Sequence, residues 1–484
     1  MSRVVVFVFD GLQMSQVTRE LMPNLAAFAS GGVRFGNHHP VFPTVTRVNV
    51  ASITTGRYPG GHGLAGNSFI HREMDPGRVL PALRPELSEV IERTGKLLLA
   101  PNLAEILRAH GMEYVAVGTG SDGNAFMHNP MAARDGGATI HPDFCEPDGL
   151  HQNILSRFGP WPEITHPAEA RIDHGISVLT EYVIQEQDPA VALFWSSEPD
   201  ACQHKAGLGS ELATRALGIA DAQFGKLITW LKDSGSDSDT TVLVGADHGY
   251  CTVIEDIPVT QLLQEAGFPK GAGPGEVMVA SNGGSMLYYV GGRNARTADR
   301  LATWLMEQPW SGAMVASDAL GQIDGTLPAS LVGVEGPRAP DIAMSFAWNS
   351  SLNDVGYAGH HYNSGLVAGQ GNHGSMSRHE QRCAFIMAGP GIKQGVVSSA
   401  PSGNVDVTPT ILRLLGVDAP AGMDGRALEE ALVDGPALDE VEWSSETLVA
   451  DRDLATGAYN QRIVVSKVGS TTYVDEGSSR GPGP

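Results

Sequence analysis

The sequence predicts an α/β fold in which a central, mostly parallel sheet is flanked by helices on both faces. Two observations predict it. Short apolar, β-rich runs alternate with helical stretches along most of the 484 residues, and two of those runs end in an aspartate. Alternation of strand and helix is the pattern of parallel crossover units. A continuous apolar run is what a strand buried on both faces requires. A chain of this length can bury a large core, as one α/β domain or as two lobes.

Taken in order, "VVVFVFD" (4–10) is the first buried strand, and "MPNLAAFASGG" follows as a helix stopped by its glycines. Further strands are "YVAVGTG" (114–120), "VALFWSS" (191–197), "TVLVGAD" (241–247), "DIAMSFAW" (341–348) and "AFIMAGPG" (384–391). Helices fall between them, including 168–186 and 211–232. Between the glycines of "KGAGPGEVMVASNGGSMLYYVGG" the runs have period two, which predicts a hairpin and an α+β character for that region. Residues 440–475 carry short strand patterns, and the tail "DEGSSRGPGP" has the composition of a poorly ordered segment. No internal repeat is visible.

Composition narrows the function. Hydrophobic residues at 42% and 59 glycines fit a soluble enzyme, and no apolar run approaches membrane-spanning length, so no membrane partner is expected. The start, "MSRVVVFVFDGLQ", lacks a small-residue cleavage site and runs into a core strand, which predicts a cytoplasmic location. Cys145, Cys202, Cys251 and Cys383 are scattered, without a CxxC pair, so neither a disulfide framework nor a thiolate zinc site is expected. A net charge of −22 argues against a nucleic-acid polymer as partner, since phosphate backbones are bound by basic faces. For a small anionic substrate, positive charge must be supplied locally, and metal ions are the obvious source.

In open parallel sheets, functional side chains gather at the carboxyl ends of the strands. Asp10 ends the first strand, and Asp247 ends "TVLVGAD" with His248 next to it. Asp200 follows "VALFWSSEP", with His204 four residues on, and His373 lies in the glycine-rich "GQGNHGSMSRH". Singly, an acid past a strand is commonly a helix cap or turn former. Jointly, three acids past three strands with accompanying imidazoles form a pattern that chance seldom produces. Three or four such ligands per ion suit zinc, with manganese or iron as alternatives. The stretch "VFPTVTRVNVASITTGRYPGGHGL" (41–64) adds two candidate nucleophiles, Thr44 and Thr46, and an arginine, Arg47.

The segments "FVFDG", "PTVTRVNVASITTGRYPGGHGLAGN", "SSEPDACQHKAG", "GADHGY" and "GNHGS" stand in the order and spacing of a known family. By them the chain resembles the type I phosphodiesterase and nucleotide pyrophosphatase branch of the alkaline phosphatase superfamily, with phosphonoacetate hydrolase a close cousin. "DVTPTILRLLGVDAPAGMDGR" (406–426) is similar to the closing helix and turn of that superfamily. The resemblance implies an alkaline-phosphatase-like core over 1–250 and 365–430 and a cap inserted at 251–364. Strands at 431–475 would then be added to the core, with a disordered tail at 476–484.

The resemblance also implies two metal ions, zinc in the family. Asp200, His204 and His373 match the ligands of one. Asp10, Asp247 and His248 match those of the other, completed by the Thr46 hydroxyl. Thr46, rather than Thr44, falls at the nucleophile position, Asn67 where a phosphoryl oxygen is hydrogen-bonded, and the Arg47 backbone N–H is expected to assist. A threonine hydroxyl is inert at neutral pH unless a bound dication lowers its pKa. The implied activity is hydrolysis of phosphodiesters, or of related phosphonates or pyrophosphates, through a phospho-threonine. Alternatives are C–P bond hydrolysis, phosphomonoester hydrolysis or isomerisation on the same fold, and a metal-binding protein without catalysis.

The substrate is less defined. Phosphonoacetate hydrolases carry two lysines where Ser121 and Gly123 stand here, which argues against that substrate. Nucleotide pyrophosphatases place a phenylalanine where Arg47 stands, which argues against a stacked base. Arg47 could bind a second anionic group or the extra charge of a monoester, or simply pair with a local acid. Candidates to line the pocket are His71, Asn124, His128, Asn129 and Trp195, and in the insertion Tyr357, His360, His361 and Tyr362. The histidine-rich "GYAGHHYNSG" suggests a third metal site, a substrate-facing loop or a solvated turn. Sheet edges and added C-terminal strands would also support a homodimer.

Overall fold

Strand β1 (Arg3–Phe9) lies at the centre of a nine-stranded sheet in the computed structural model, which describes residues 3–481. The other strands are β2 (Val33–Phe35), β3 (Tyr114–Gly118), β4 (Ala138–His141), β5 (Phe144–Glu146), β6 (Val191–Ser196), β7 (Thr240–Gly245), β8 (Phe385–Ala388) and β9 (Val396–Ser398), in the order β9-β2-β8-β7-β1-β6-β3-β4-β5. The five strands β7-β1-β6-β3-β4 run parallel. β8 is antiparallel to both β7 and β2, and β5 to β4. The predicted mostly parallel α/β sheet is thus present.

The reason β1 is apolar throughout follows from its place. Val4, Val6 and Val8 pack into the hydrophobic cluster on one face, and Val5, Phe7 and Phe9 into that on the other. Side chains alternate across a strand, so a strand covered on both faces tolerates no polar residue until it leaves the sheet at Asp10. On one face, helix Glu211–Asp233 starts where the Ser210 side chain accepts the Ala213 N–H. It presents Phe224 edge-on to Phe7 and to Phe28, with ring centroids 5.2 Å apart in each pair. The predicted helix 168–186 is α-helical over Glu169–Ser177 and continues as a wider π-type coil over Val178–Gln187.

A second sheet occupies much of the insertion. Its strands run Val277–Asn282, Ser285–Val290, Ile342–Phe346, Ser311–Ala316 and Leu327–Pro328 from one edge to the other. The predicted hairpin is its first pair, closed by Gly283 at φ +63°, a conformation that favours glycine. The run 341–348, read with the central strands, belongs to this second sheet and is antiparallel to both neighbours. Its residues are apolar because both sheets bury both faces, which a hydropathy pattern cannot tell apart. Helix Ala295–Met306 covers one face of the second sheet. On the other, Met278, Leu287, Tyr289 and Val315 join the main cluster, so the insertion shares its core with the central sheet.

The C-terminal strands differ from expectation too. Ser444–Leu454, Gly457–Val468 and Thr471–Arg480 form their own antiparallel sheet, packed on the strand Ser311–Ala316 rather than hydrogen-bonded to the central sheet. Residues 476–480, expected in the disordered tail, lie in the last strand. There Glu476 is buried and pairs with Arg378 and Arg462, and the Trp348 indole donates to the Gly477 carbonyl at 2.6 Å. Glycine and serine composition could not reveal those long-range partners. Residues 482–484 of that tail lie outside the described residues. Among the described residues no helix is long and apolar enough to cross a membrane.

The aromatic stack behind β1 yields a stability test. Phe224→Ala should lower unfolding free energy by about 3–5 kcal/mol, read from a denaturant titration, because the vacated space lies between rigid elements.

Candidate active site

The carboxyl ends of β1, β6 and β7 open onto one cleft. Asp10 leaves β1, Asp247 and His248 leave β7, and Asp200 opens the helix Asp200–Ala206 just past β6. A spacing of four on that helix sets His204 on the same side as Asp200. Thr46 is the first residue of the helix Thr46–Thr55, with Val45 extended before it. His373 follows the short strand Gly371–Asn372.

Two groups of ligand atoms result: Asp200, His204 and His373, and Asp10, Asp247 and His248. In the first, Asp200 Oδ1 lies 3.3 Å from His204 Nε2 and 3.6 Å from His373 Nε2, and the two imidazole Nε2 atoms are 3.1 Å apart. In the second, His248 Nε2 lies 3.1 Å from Asp247 Oδ2 and 3.5 Å from Asp10 Oδ1. The Thr46 Oγ1 atom is 3.4 Å from His248 Nε2.

The tautomers show what these groups can hold. His204 Nδ1 donates to the Gly371 carbonyl at 2.9 Å, His373 Nδ1 to Thr44 at 2.6 Å, and His248 Nδ1 to Gly249 at 3.1 Å. A carbonyl only accepts, so each Nδ1 carries a proton and each Nε2 is the atom left to offer a lone pair to a cation held with the neighbouring carboxylates. Each aspartate is likewise held by one donor: Trp195 Nε1 to Asp10 Oδ2 at 3.0 Å, the Gly11 N–H to Asp247 Oδ1 at 3.0 Å, and the Tyr250 hydroxyl to Asp200 Oδ1. Asp10 Oδ1 and Asp247 Oδ2 are buried without a hydrogen-bond partner. Orphaned carboxylate oxygens facing imidazole lone pairs are a donor set that fits a divalent cation at each group.

Electrostatics agree. Burial, reinforced by Asp247 and Asp200, holds the Asp10 carboxyl well above the usual range. Burial, with His248 and His204 adding to it, pushes His373 well down and keeps it neutral. Burial would lower His248 too, but Asp247 and Asp200 outweigh it and raise it.

Of the two candidate nucleophiles, only Thr46 faces this cleft. Thr44 is fully buried; its hydroxyl donates to Glu380 Oε2 at 2.9 Å and accepts the Gly374 N–H at 2.8 Å. Glu380 also accepts the Ser375 N–H at 2.6 Å and lies 3.1 Å from His361 Nδ1. Thr44 therefore fixes the loop that carries His373. The Arg47 backbone N–H, expected to assist directly, donates to Asn67 Oδ1 at 3.0 Å instead. That bond engages the Asn67 amide oxygen and leaves the NH2 group as the residue's donor end.

The cleft has a volume of about 350 Å³. It includes Asp10, Thr46, Arg47, Asn67, Asp200, His204 and His373, while Asp247 and His248 lie behind its wall. Asn124 lines it as expected. His128 instead lies 3.1 Å from the Tyr114 hydroxyl, Asn129 donates to the Gly136 carbonyl at 2.8 Å, and His71 is buried off the cleft. None of Tyr357, His360, His361 and Tyr362 reaches it. "GYAGHHYNSG" is the strand Ala358–Asn363 with its flanks, and no candidate metal group among the described residues includes it.

Sequence reasoning missed the wall formed by 164–171, with Arg171 and the buried Glu198. Burial pushes Glu198 up to about 7. Its carboxyl accepts the Ala168 and Cys202 N–H groups at 3.1 and 3.2 Å, which ties that wall to the helix bearing Asp200. A third group, His166, Glu198 and Cys202, stands there as well, with Glu198 already occupied by these donors. The acid in "SSEPD" was the available signal.

The sequence profile of the type I phosphodiesterase / nucleotide pyrophosphatase family matches residues 4–375. The chain is similar to ectonucleotide pyrophosphatase/phosphodiesterase family member 3 of Rattus norvegicus, 24% identical over 248 residues, which are 51% of this chain and 24% of the rat protein. It is also similar to ectonucleotide pyrophosphatase/phosphodiesterase 1 of Saccharomyces cerevisiae, 25% identical over 272 residues, 52% of this chain and 34% of the yeast protein. The chain therefore spans about a quarter to a third of the length of these curated relatives. Among solved structures, an inactive variant of murine ectonucleotide pyrophosphatase/phosphodiesterase 5 in complex with AMP aligns with a TM-score of 0.62 at 16% identity, covering 87% of this chain and 96% of that one. That likeness is one of fold.

The Thr44 hydroxyl gives a direct test of the loop support. Thr44→Val should cost about 1–3 kcal/mol of stability by leaving the Gly374 N–H unpaired, and should weaken retention of metal measured by elemental analysis after dialysis. An unchanged denaturation midpoint would show that another contact fixes the loop.

Proposed function

Because the chain belongs to the type I phosphodiesterase / nucleotide pyrophosphatase family, we propose that it is a metal-dependent hydrolase of small phosphate esters with Thr46 as its nucleophile. One observation carries this reading. Three imidazoles have Nδ1 tied to backbone carbonyls, so that their Nε2 atoms converge with three carboxylates beside a single buried threonine hydroxyl.

Asp200, His204 and His373 would hold one cation, and Asp10, Asp247 and His248, with the Thr46 oxygen, the other. Imidazole and carboxylate donors, three to an ion, suit zinc, with manganese or iron as alternatives. When bound, such a pair lowers the pKa of a coordinated hydroxyl and neutralises charge on the phosphoryl oxygens. The chain's own groups do the rest. The helix Thr46–Thr55 presents Thr46 at its N-terminus, where the backbone dipoles favour an anion. The Asn67 amide, oriented by the Arg47 N–H, donates to a phosphoryl oxygen.

Thr46 Oγ1 attacks phosphorus in line with the departing ester oxygen. The Oγ1–P bond forms as the ester bond breaks, and water then cleaves the phospho-threonine and regenerates the hydroxyl. Phosphodiesters are the favoured substrates, with phosphonates or pyrophosphates as related ones. Four free, buried cysteines fit a reducing compartment, in keeping with a cytoplasmic location.

Turnover of bis-p-nitrophenyl phosphate tests the reading, with p-nitrophenyl phosphate and phosphonoacetate as comparators. Thr46→Ala and chelation should each reduce it by roughly 10³-fold or more. Full activity of Thr46→Ala, with loss on chelation, would overturn the covalent route. Faster turnover of phosphonoacetate would favour C–P cleavage.

A further inference from the structure

We infer that the substrate carries a second, compact anionic group, a carboxylate or a further phosphate, recognised by Arg47, Ser121, Asn124 and Arg171. The inference rests on the hydrolase reading above and deepens it by naming the substrate class.

Two guanidinium groups line the cleft from different helices, Arg47 on Thr46–Thr55 and Arg171 on Glu169–Ser177. Among the described residues neither makes an ion pair: Arg47 donates to the Ser121 hydroxyl at 2.7 Å, and Arg171 Nε to the Pro162 carbonyl at 3.1 Å. Both partners are neutral. The acids that act on Arg47 most strongly through space, Asp10 and Asp200, belong to the candidate metal-ligand set. Two unpaired arginines lining one cleft are unusual in a chain of net charge −22, because taking an unpaired charge out of water is costly.

Asn124 supplies an independent observation. It is 2% exposed, it lines the same cleft, and both its Oδ1 and its Nδ2 lack a hydrogen-bond partner; so does the buried Nε of Arg47. Buried polar groups are normally paired; the Asn124 Oδ1 calls for a donor, whereas the Asn124 Nδ2 and the Arg47 Nε both call for an acceptor, which one anion can supply to several N–H donors together. A carboxylate or phosphate does so through the planar fork of an arginine. Among the described residues no phenylalanine, tyrosine or tryptophan lines the cleft. Its flat rings are imidazoles, two of them in the candidate metal-ligand group, which leaves His166 alone as a face for stacking a nucleobase.

The test uses the metal-reconstituted full chain and p-nitrophenyl phosphodiesters whose second arm is ethyl, carboxymethyl or 2-phosphoethyl. The leaving group is constant, so only the arm is compared. One charged arm should raise kcat/KM over ethyl by roughly 10- to 100-fold, the worth of a charge-assisted hydrogen bond. The carboxymethyl and 2-phosphoethyl arms identify which anion is preferred. Asn124→Ala and Arg171→Met should each shrink the charged-to-ethyl ratio by about tenfold, with thermal midpoints recorded to establish that both variants fold. Turnover in which ethyl equals or exceeds both charged arms overturns the inference and leaves the hydrolase reading standing. Absence of turnover on all three counts against the hydrolase reading instead. Calorimetric binding of methylphosphonate, phosphonoacetate and methylenediphosphonate then decides the inference, which fails if methylphosphonate binds as tightly as the other two.

Discussion

Three carboxylates, Asp10, Asp200 and Asp247, approach one another in a largely buried cleft, and their mutual repulsion is the constraint on which the rest of the site depends. Such groups stay together in a low dielectric only if donors and countercharge are arranged around them. The donors come from the framework: the Trp195 indole, the Gly11 N–H and the Tyr250 hydroxyl each secure one of the three. The histidines answer in kind, with every Nδ1 anchored on a carbonyl so that no ring can turn its lone pair away. What remains unbalanced is a concentration of negative charge with lone pairs aimed inward, an arrangement suited to cations.

The parallel sheet makes that convergence practicable. Parallel strands all end at the same side, so β1, β6 and β7 deliver their C-terminal acids to one place without long loops. The remaining ligand, His373, arrives on a loop, and loops need support. Thr44 provides it through Glu380 and Gly374 while its carbonyl accepts the proton of His373. Two threonines separated by one residue thus do different work, one structural and one facing the cleft.

Much of this was legible in the sequence, because it is encoded locally. A strand buried on both faces has to be apolar, so 4–10 could be read as central, and an acid directly after such a strand has few places to go but the strand-end cleft. Contacts between distant segments were not legible. Nothing in 341–348 distinguishes one doubly buried sheet from another, and nothing in "DEGSSRGPGP" reveals Arg378 and Trp348 as partners of its first residues. The wall at 164–171 was missed for the same reason, since its hold on the site runs through Glu198. At Gly123 the sequence shows only a small residue. The structure shows why: a Cβ there would sit 2.0 Å from the Ala82 carbonyl oxygen, so no longer side chain fits.

None of Tyr357, His360, His361 and Tyr362 in the histidine-rich stretch of the insertion reaches the cleft, yet His361 lies against Glu380, which in turn grips Thr44. The inserted segment and the loop before Thr46 are therefore braced through a single carboxylate. Placed on a scaffold without Glu380 and Thr44, this insertion would leave His361 without its carboxylate and the loop that carries His373 without that hold.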